Sequence, residues 1–87
     1  MHAVVVRVTI NEQDAAMEQL RNEVVPRVAQ QPGFVNAYWM RKDNSGLSVA
    51  LFDSEDAASQ ASERVPSNLA QGVTLEGVEV REVVAQA

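Results

Sequence analysis

Cysteine is absent from the 87 residues. With it go a disulfide scaffold, thiolate metal sites and cysteine nucleophiles. Histidine occurs once, at position 2. One imidazole is too little for a transition-metal site, so neither a metal nor a cofactor is expected. His2 itself, at the extreme N-terminus, reads as a frayed surface residue rather than a base. Basic residues are scarce: 7 Lys and Arg stand against 12 Asp and Glu, for a formal charge of −5. That balance argues against a phosphate backbone and hence against a nucleic-acid partner. No apolar run approaches the roughly 20 residues of a membrane-spanning helix, and no signal-peptide pattern opens the chain. No membrane partner is expected, and the cytoplasm is the expected location. Gly-rich phosphate loops, serine elbows and Ser/His/Asp sets are missing too.

What is present is ordinary for a folded chain: 46% hydrophobic and 22% charged residues, outside the range of global disorder. Residues 1–87 read as a single domain without linkers or repeats. A chain this short buries only about 60–65% of its unfolded surface, so its core is thin.

The periodicities give six elements. Val4, Val6, Val8 and Ile10 alternate onto one face of a strand over 4–10. Asn11 is the expected N-cap of a helix, with Asp14 answering as in a capping box. Met17, Leu20, Val24 and Val28 recur at helical spacing to about Gln30, with a kink expected at Pro26. Gln31-Pro32-Gly33-Phe34 suits a type II turn with glycine at positive φ. Phe34 to Arg41 and Leu47 to Phe52 form an antiparallel pair, joined by a hairpin loop from Lys42 to Gly46 rather than a two-residue turn. Asp53 or Ser54 caps a second helix with a small apolar face of Ala57 or Ala58, Ala61 and Val65, ended by Val65-Pro66. One further helical turn is read over Ser67 to Ala70. Val73 to Val84 is the last strand, with a bulge or break at Gly77. The order β-α-β-β-α-β is that of ferredoxin-like α+β folds: a four-stranded antiparallel sheet with two helices on one face.

A sheet with water on its second face should be polar at alternate positions. Here Phe34, Tyr38 and Met40 fall on one face of the second strand and Val35, Ala37 and Trp39 on the other. Leu47, Val49 and Leu51 oppose Ala50 and Phe52 in the third strand, and Val5 adds to the first. Both faces read as covered, and the simplest cover for the second is another copy of the chain, a homodimer through the sheet face. The alternative is scattered surface hydrophobes.

Two local patterns carry a resemblance. Pro32-Gly33-Phe34 opens the second strand, and Phe52-Asp53-Ser54-Glu55-Asp56-Ala57-Ala58 runs from the third strand into the second helix. With the element spacing, the chain resembles the antibiotic-biosynthesis-monooxygenase group of the dimeric α+β barrel superfamily. The resemblance implies a homodimer with facing sheets and a pocket between each sheet and its helices. Activities in that group include cofactor-independent oxygenation of polycyclic aromatics and haem degradation. The haem-degrading pattern is not met. The first strand, Ala3-Val4-Val5-Val6-Arg7-Val8, lacks its asparagine, and residues 57–70 lack its histidine. Where the group has a strand-end tryptophan, this chain has Phe52, which keeps an aromatic wall and loses an N–H donor.

Asn36 and Tyr38 share a strand face, so an amide and a phenol can aim at one ligand. They are the candidate catalytic pair, with Phe34, Met40 and Phe52 as candidate ligand-binding residues. Trp39 points the other way and is read as filling the dimer barrel. Tyr38 and Trp39 also read simply as core residues with polar tips at the rim. Arg7 and Arg41 are placed on the side of Val5 and Trp39, to pair with carboxylates across an interface or to contact an anionic ligand. On the last strand, Glu79 and Arg81 share a face opposite Val78, Val80 and Glu82.

Three functional readings follow. The first is a homodimer that binds a small apolar or aromatic molecule between sheet and helices. The second is a cofactor-independent monooxygenase of an aromatic or quinol, with Tyr38 assisting deprotonation and Asn36 bonding the oxyanion. The third is a purely structural dimer.

Overall fold

The alternating valines of the first segment form strand β1 (His2–Ile10) in the computed structural model, which describes residues Met1–Ala87. β2 (Phe34–Lys42), β3 (Ser45–Phe52) and β4 (Val73–Glu82) complete one antiparallel sheet in the order β2-β3-β1-β4. This is the ferredoxin-like arrangement expected from the element order. β1 lies inside, paired with β3 from His2↔Phe52 to Thr9↔Ser45 and with β4 from His2↔Glu82 to Ile10↔Val73. His2 is therefore not frayed. It starts a central strand, its side chain is 18% exposed, and its Nε2 lies 3.4 Å from Glu55 Oε2 at the start of the second helix.

The first helical segment is a continuous rod in three parts: α1 (Gln13–Gln19), a π-helical turn over Leu20–Val24, and α2 (Val25–Ala29). The widened turn stands just ahead of Pro26. Proline has no N–H to donate, and its ring clashes with the carbonyl four residues back, so the ladder widens there instead of breaking. At the N-terminus the cap position is Glu12, without a side-chain cap bond. Asn11 donates instead to Thr74 Oγ1 at 2.9 Å, tying the end of β1 to β4, and the capping box is not formed.

Phe34 N–H donates to the Gln31 carbonyl at 3.2 Å with Gly33 at φ +79°, as the turn chemistry required. A Cβ at Gly33 would sit 2.5 Å from Asp53 Oδ1 and 2.8 Å from Ala57 Cβ, so the glycine also lets this turn abut the second helix. Strands β2 and β3 pair as far as Lys42↔Ser45. Their connection is a two-residue turn, Asp43-Asn44, with Asp43 at φ +54°, rather than the longer loop expected. A short polar Asx side chain tolerates that conformation.

In α3 (Glu55–Arg64), the Ser54 hydroxyl accepts from Ala57 N–H at 3.1 Å, and Glu55 and Asp56 occupy the first turn. The chain after it turns once as a 3₁₀ helix over Val65–Ser67, earlier than the turn expected at 67–70. Both helical segments lie on one face of the sheet. Under α3 the core is tight: Val4, Val6, Phe52, Ala58 and Ala61 are all buried and in one cluster. Alanines on α3 bring its backbone close to the strands.

Two bulges set which side chains face the helices. In β4 the register shifts so that Arg7 pairs with Gly77 and Val8 with Leu75. In β2, Phe34 pairs with Phe52 and Asn36 with Leu51, leaving Val35 as the extra residue. Parity therefore inverts after Phe34, since a one-residue insertion exchanges the two faces of all that follows.

Candidate functional site

The helix-facing positions of β3 are Gly46, Ser48, Ala50 and Phe52, so three consecutive inward positions carry little or no side chain. Opposite them in the register stand Arg41, Trp39 and Ala37 of β2. The rod above presents Met17, Leu20, Val24 and Val28. Of the rod residues only Ala16 and Val24 are fully buried, and α2 has none. Small residues below and a stand-off helix above leave a cavity of ≈140 Å³, closed on the far side by Ala61, Val65, Leu69 and Val73.

Its wall is apolar apart from a few groups: Gln31, Ser48, Asn68, the Trp39 indole and Arg41. Gln31 Oε1 is buried and accepts no hydrogen bond. No carboxylate or imidazole lines the cavity, and Arg41 is its one charged residue. Arg41 Nη1 donates to Gln13 Oε1 at 3.2 Å. The Gln13 amide is held in turn by the hairpin, donating to Asn44 Oδ1 at 2.9 Å and to the Asp43 carbonyl at 3.2 Å. Nowhere does the chain bring three or more His, Asp or Glu residues together as metal ligands.

The residues singled out from sequence divide between the two sides. Phe52, 1% exposed, faces the cavity, whereas Met40 meets the lining only at the edge of β2 and is 48% exposed on the other face. Phe34 lies beside it, edge-on to Phe52 with ring centroids 6.0 Å apart and planes at 79°. The bulge at Val35 puts Asn36 and Tyr38 on the opposite face, where Asn36 neighbours Leu51 and Tyr38 neighbours Val49. Neither lines the cavity, and Tyr38 is 62% exposed. Trp39, assigned from sequence to the dimer side, is on the cavity side. Arg7 and Arg41, expected together, are on opposite faces. Arg7 lies over Gly77, 3.8 Å from Glu79, which also holds Arg81 at 3.0 Å.

Sequence reasoning passed over Gln31, Ser48, Asn68 and Gln13. The run Gly46-Leu47-Ser48-Val49-Ala50-Leu51-Phe52, with Gly46, Ser48 and Ala50 all of one parity, was the available signal for a cavity. For Gln13 there was none, because its role depends on how a hairpin turn meets a helix start.

No family model matches the sequence, and no curated protein matches it significantly. Solved structures do. Two crystal structures of SnoaB, a cofactor-independent oxygenase from Streptomyces nogalater, superpose with TM-scores of 0.72 and 0.71 at 25% and 23% identity. One of them carries an asparagine-to-alanine substitution. In each case the match covers 98% of this chain and 94% of the other. The resemblance to the antibiotic-biosynthesis-monooxygenase group read from the sequence is thus met in three dimensions, over nearly the whole length of both chains.

Proposed function

We propose that this chain is a cofactor-independent monooxygenase that takes a small electron-rich aromatic molecule into the cavity between sheet and helices. The observation that carries the reading is the cavity itself. It is apolar, walled by Trp39 and Phe52, and it occurs in a chain with the fold of a cofactor-independent oxygenase. Flat aromatic walls suit an aromatic guest. The reaction needs no outside reductant. For a phenol oxidised at its para carbon, the ring supplies four electrons: one oxygen atom of O₂ becomes the new quinone carbonyl, and the other leaves as water with two substrate hydrogens. The protein contributes position and electrostatics rather than redox chemistry.

The same proposal includes a homodimer through the uncovered sheet face. Tyr38, Met40 and Leu47 are 40–62% exposed there, beside Val49 and Leu51. A contiguous apolar patch of this kind is a mark of an interaction surface. Tyr38 and Asn36 then belong to the pairing face, and the cavity works without them.

Oxygen uptake with a panel of one-ring and polycyclic phenols and quinols tests the activity. Turnover above buffer, with one labelled oxygen atom of O₂ in the product, is the expected result; no uptake with any of them overturns the oxygenase. Sedimentation at micromolar concentration tests the dimer. A species of twice the 9.5 kDa chain mass is expected.

A further inference from the structure

We infer that the cavity takes its aromatic guest as a one-ring phenolate whose oxygen sits at Arg41, with Gln13 as the residue that positions the guanidinium. The inference rests on the oxygenase reading for the choice of a phenol. The anion site itself stands on four observations about this chain.

Size comes first. At ≈140 Å³ the cavity is close to the roughly 150 Å³ that accommodates a single benzene ring in a protein core, well short of the ~300 Å³ and more of typical drug-sized pockets. Charge comes second. The chain has 12 acidic residues against 7 basic ones, yet no carboxylate approaches Arg41. The ion pairs are Arg7–Glu79 and Arg81–Glu79, and the remaining close contact of this kind sets His2 beside Glu55. Arg41 is exposed and, like Arg21, Arg27, Lys42 and Arg64, has no carboxylate within 4 Å, but of these cations it alone stands at the edge of the apolar hole.

Third is the manner of its support. Arg41 is held by the Gln13 amide oxygen, and the amide nitrogen is fixed by Asn44 Oδ1 and the Asp43 carbonyl. An uncharged acceptor aims the guanidinium without neutralising it, so its remaining N–H groups stay available to an anion. Fourth, no carboxylate or imidazole in the wall can serve as a base. A cation that stabilises the phenolate lowers the pKa of the bound phenol, so that solvent can take the proton. The lone cation answers the missing base.

4-Nitrophenol is the probe, because its ionisation is visible by absorbance and its electron-poor ring resists oxygenation. Bound to the protein, it is expected to ionise about one pH unit below its value in buffer, and its affinity is expected to fall with added salt. Arg41→Gln should abolish the shift, and Arg41→Lys should keep part of it. Gln13→Glu is the sharper variant: it places a carboxylate on Arg41, and anion affinity should drop about tenfold while the thermal unfolding temperature holds or rises. A merely structural Gln13 would leave the probe's ionisation unmoved.

An unshifted probe, a shift that survives Arg41→Gln, or equal affinity for nitrobenzene overturns the inference. So does benzoate if it displaces the probe at lower concentration than phenols do, since the site is then one for carboxylates. The two readings fail separately. A shifted probe without oxygen uptake by any phenol breaks the oxygenase and leaves the anion site, whereas oxygen uptake indifferent to Arg41→Gln does the reverse.

Discussion

Toward the helices, β3 offers Gly46, Ser48, Ala50 and Phe52; away from them, the same strand offers Leu47, Val49 and Leu51. β2 is arranged in the same sense, with Trp39 and Arg41 inward and Tyr38 and Met40 outward. The face that has a cover is under-filled, and the face that lacks one carries the bulk. Close packing at interior density leaves no such voids when stability alone is at stake. A void on the covered side and surplus apolar surface on the bare side are opposite departures from close packing, and the proposed function assigns a guest to the first and a partner to the second. The tight end of the covered face, under α3, shows that the chain can fill its core where it must. There Phe52 meets Phe34, Ala58 and Ala61.

The widest gap between the two faces should appear on truncating Phe52. Phe52→Ala is expected to cost about 3–5 kcal/mol in urea unfolding, because the ring is fully enclosed. A loss below 1 kcal/mol would mean that the tight end is not the stabilising one. Next in size is Tyr38→Glu on the bare face. It should leave the far-ultraviolet circular dichroism unchanged and raise the dimer dissociation constant at least tenfold, about 1.4 kcal/mol, as read by sedimentation. Ser48→Val fills the void from below with a residue suited to strands. It should raise stability by about 0.5–1 kcal/mol and weaken aromatic binding, the exchange expected where a site is under-packed for function. The smallest effect belongs to Arg7→Ala, within about 0.5 kcal/mol for the isolated chain, since its ion pair with Glu79 is well exposed. A larger loss at concentrations that favour the dimer would place that pair inside the contact.

How much of this was legible in the sequence can be judged strand by strand. β1 shows its inner face openly, because Val4, Val6, Val8 and Ile10 alternate without interruption. The turn at Gln31–Phe34 and the Ser54 cap were equally open, since each depends on residues within one turn of chain. β2 was not. Its alternation is read correctly residue to residue, yet Val35 inserts a step that no local pattern announces, and Trp39 and Tyr38 exchange sides. A bulge is decided by the partner strand, here Phe52 and Leu51 meeting Phe34 and Asn36. The Asp43-Asn44 turn was missed for a related reason. Pairing to Lys42↔Ser45 is enforced by the strands, and the turn accepts an unusual φ to allow it. The Arg41–Gln13–Asn44 chain of contacts joins three elements and has no sequence signature at all.

The place of β1 inside the sheet has a kinetic side. β2 and β3 are joined by two residues and can pair within microseconds. The pairing of β1 with β4 joins His2 to Glu82, almost the full length of the chain, so the whole sheet closes later than the hairpin. Long loops of this kind slow folding more than they weaken the folded state. Before the sheet closes, the hairpin already displays Leu47, Val49 and Leu51 to solvent. Half-folded chains can therefore meet through that surface before their own sheets are complete, and refolding yield should fall as protein concentration rises.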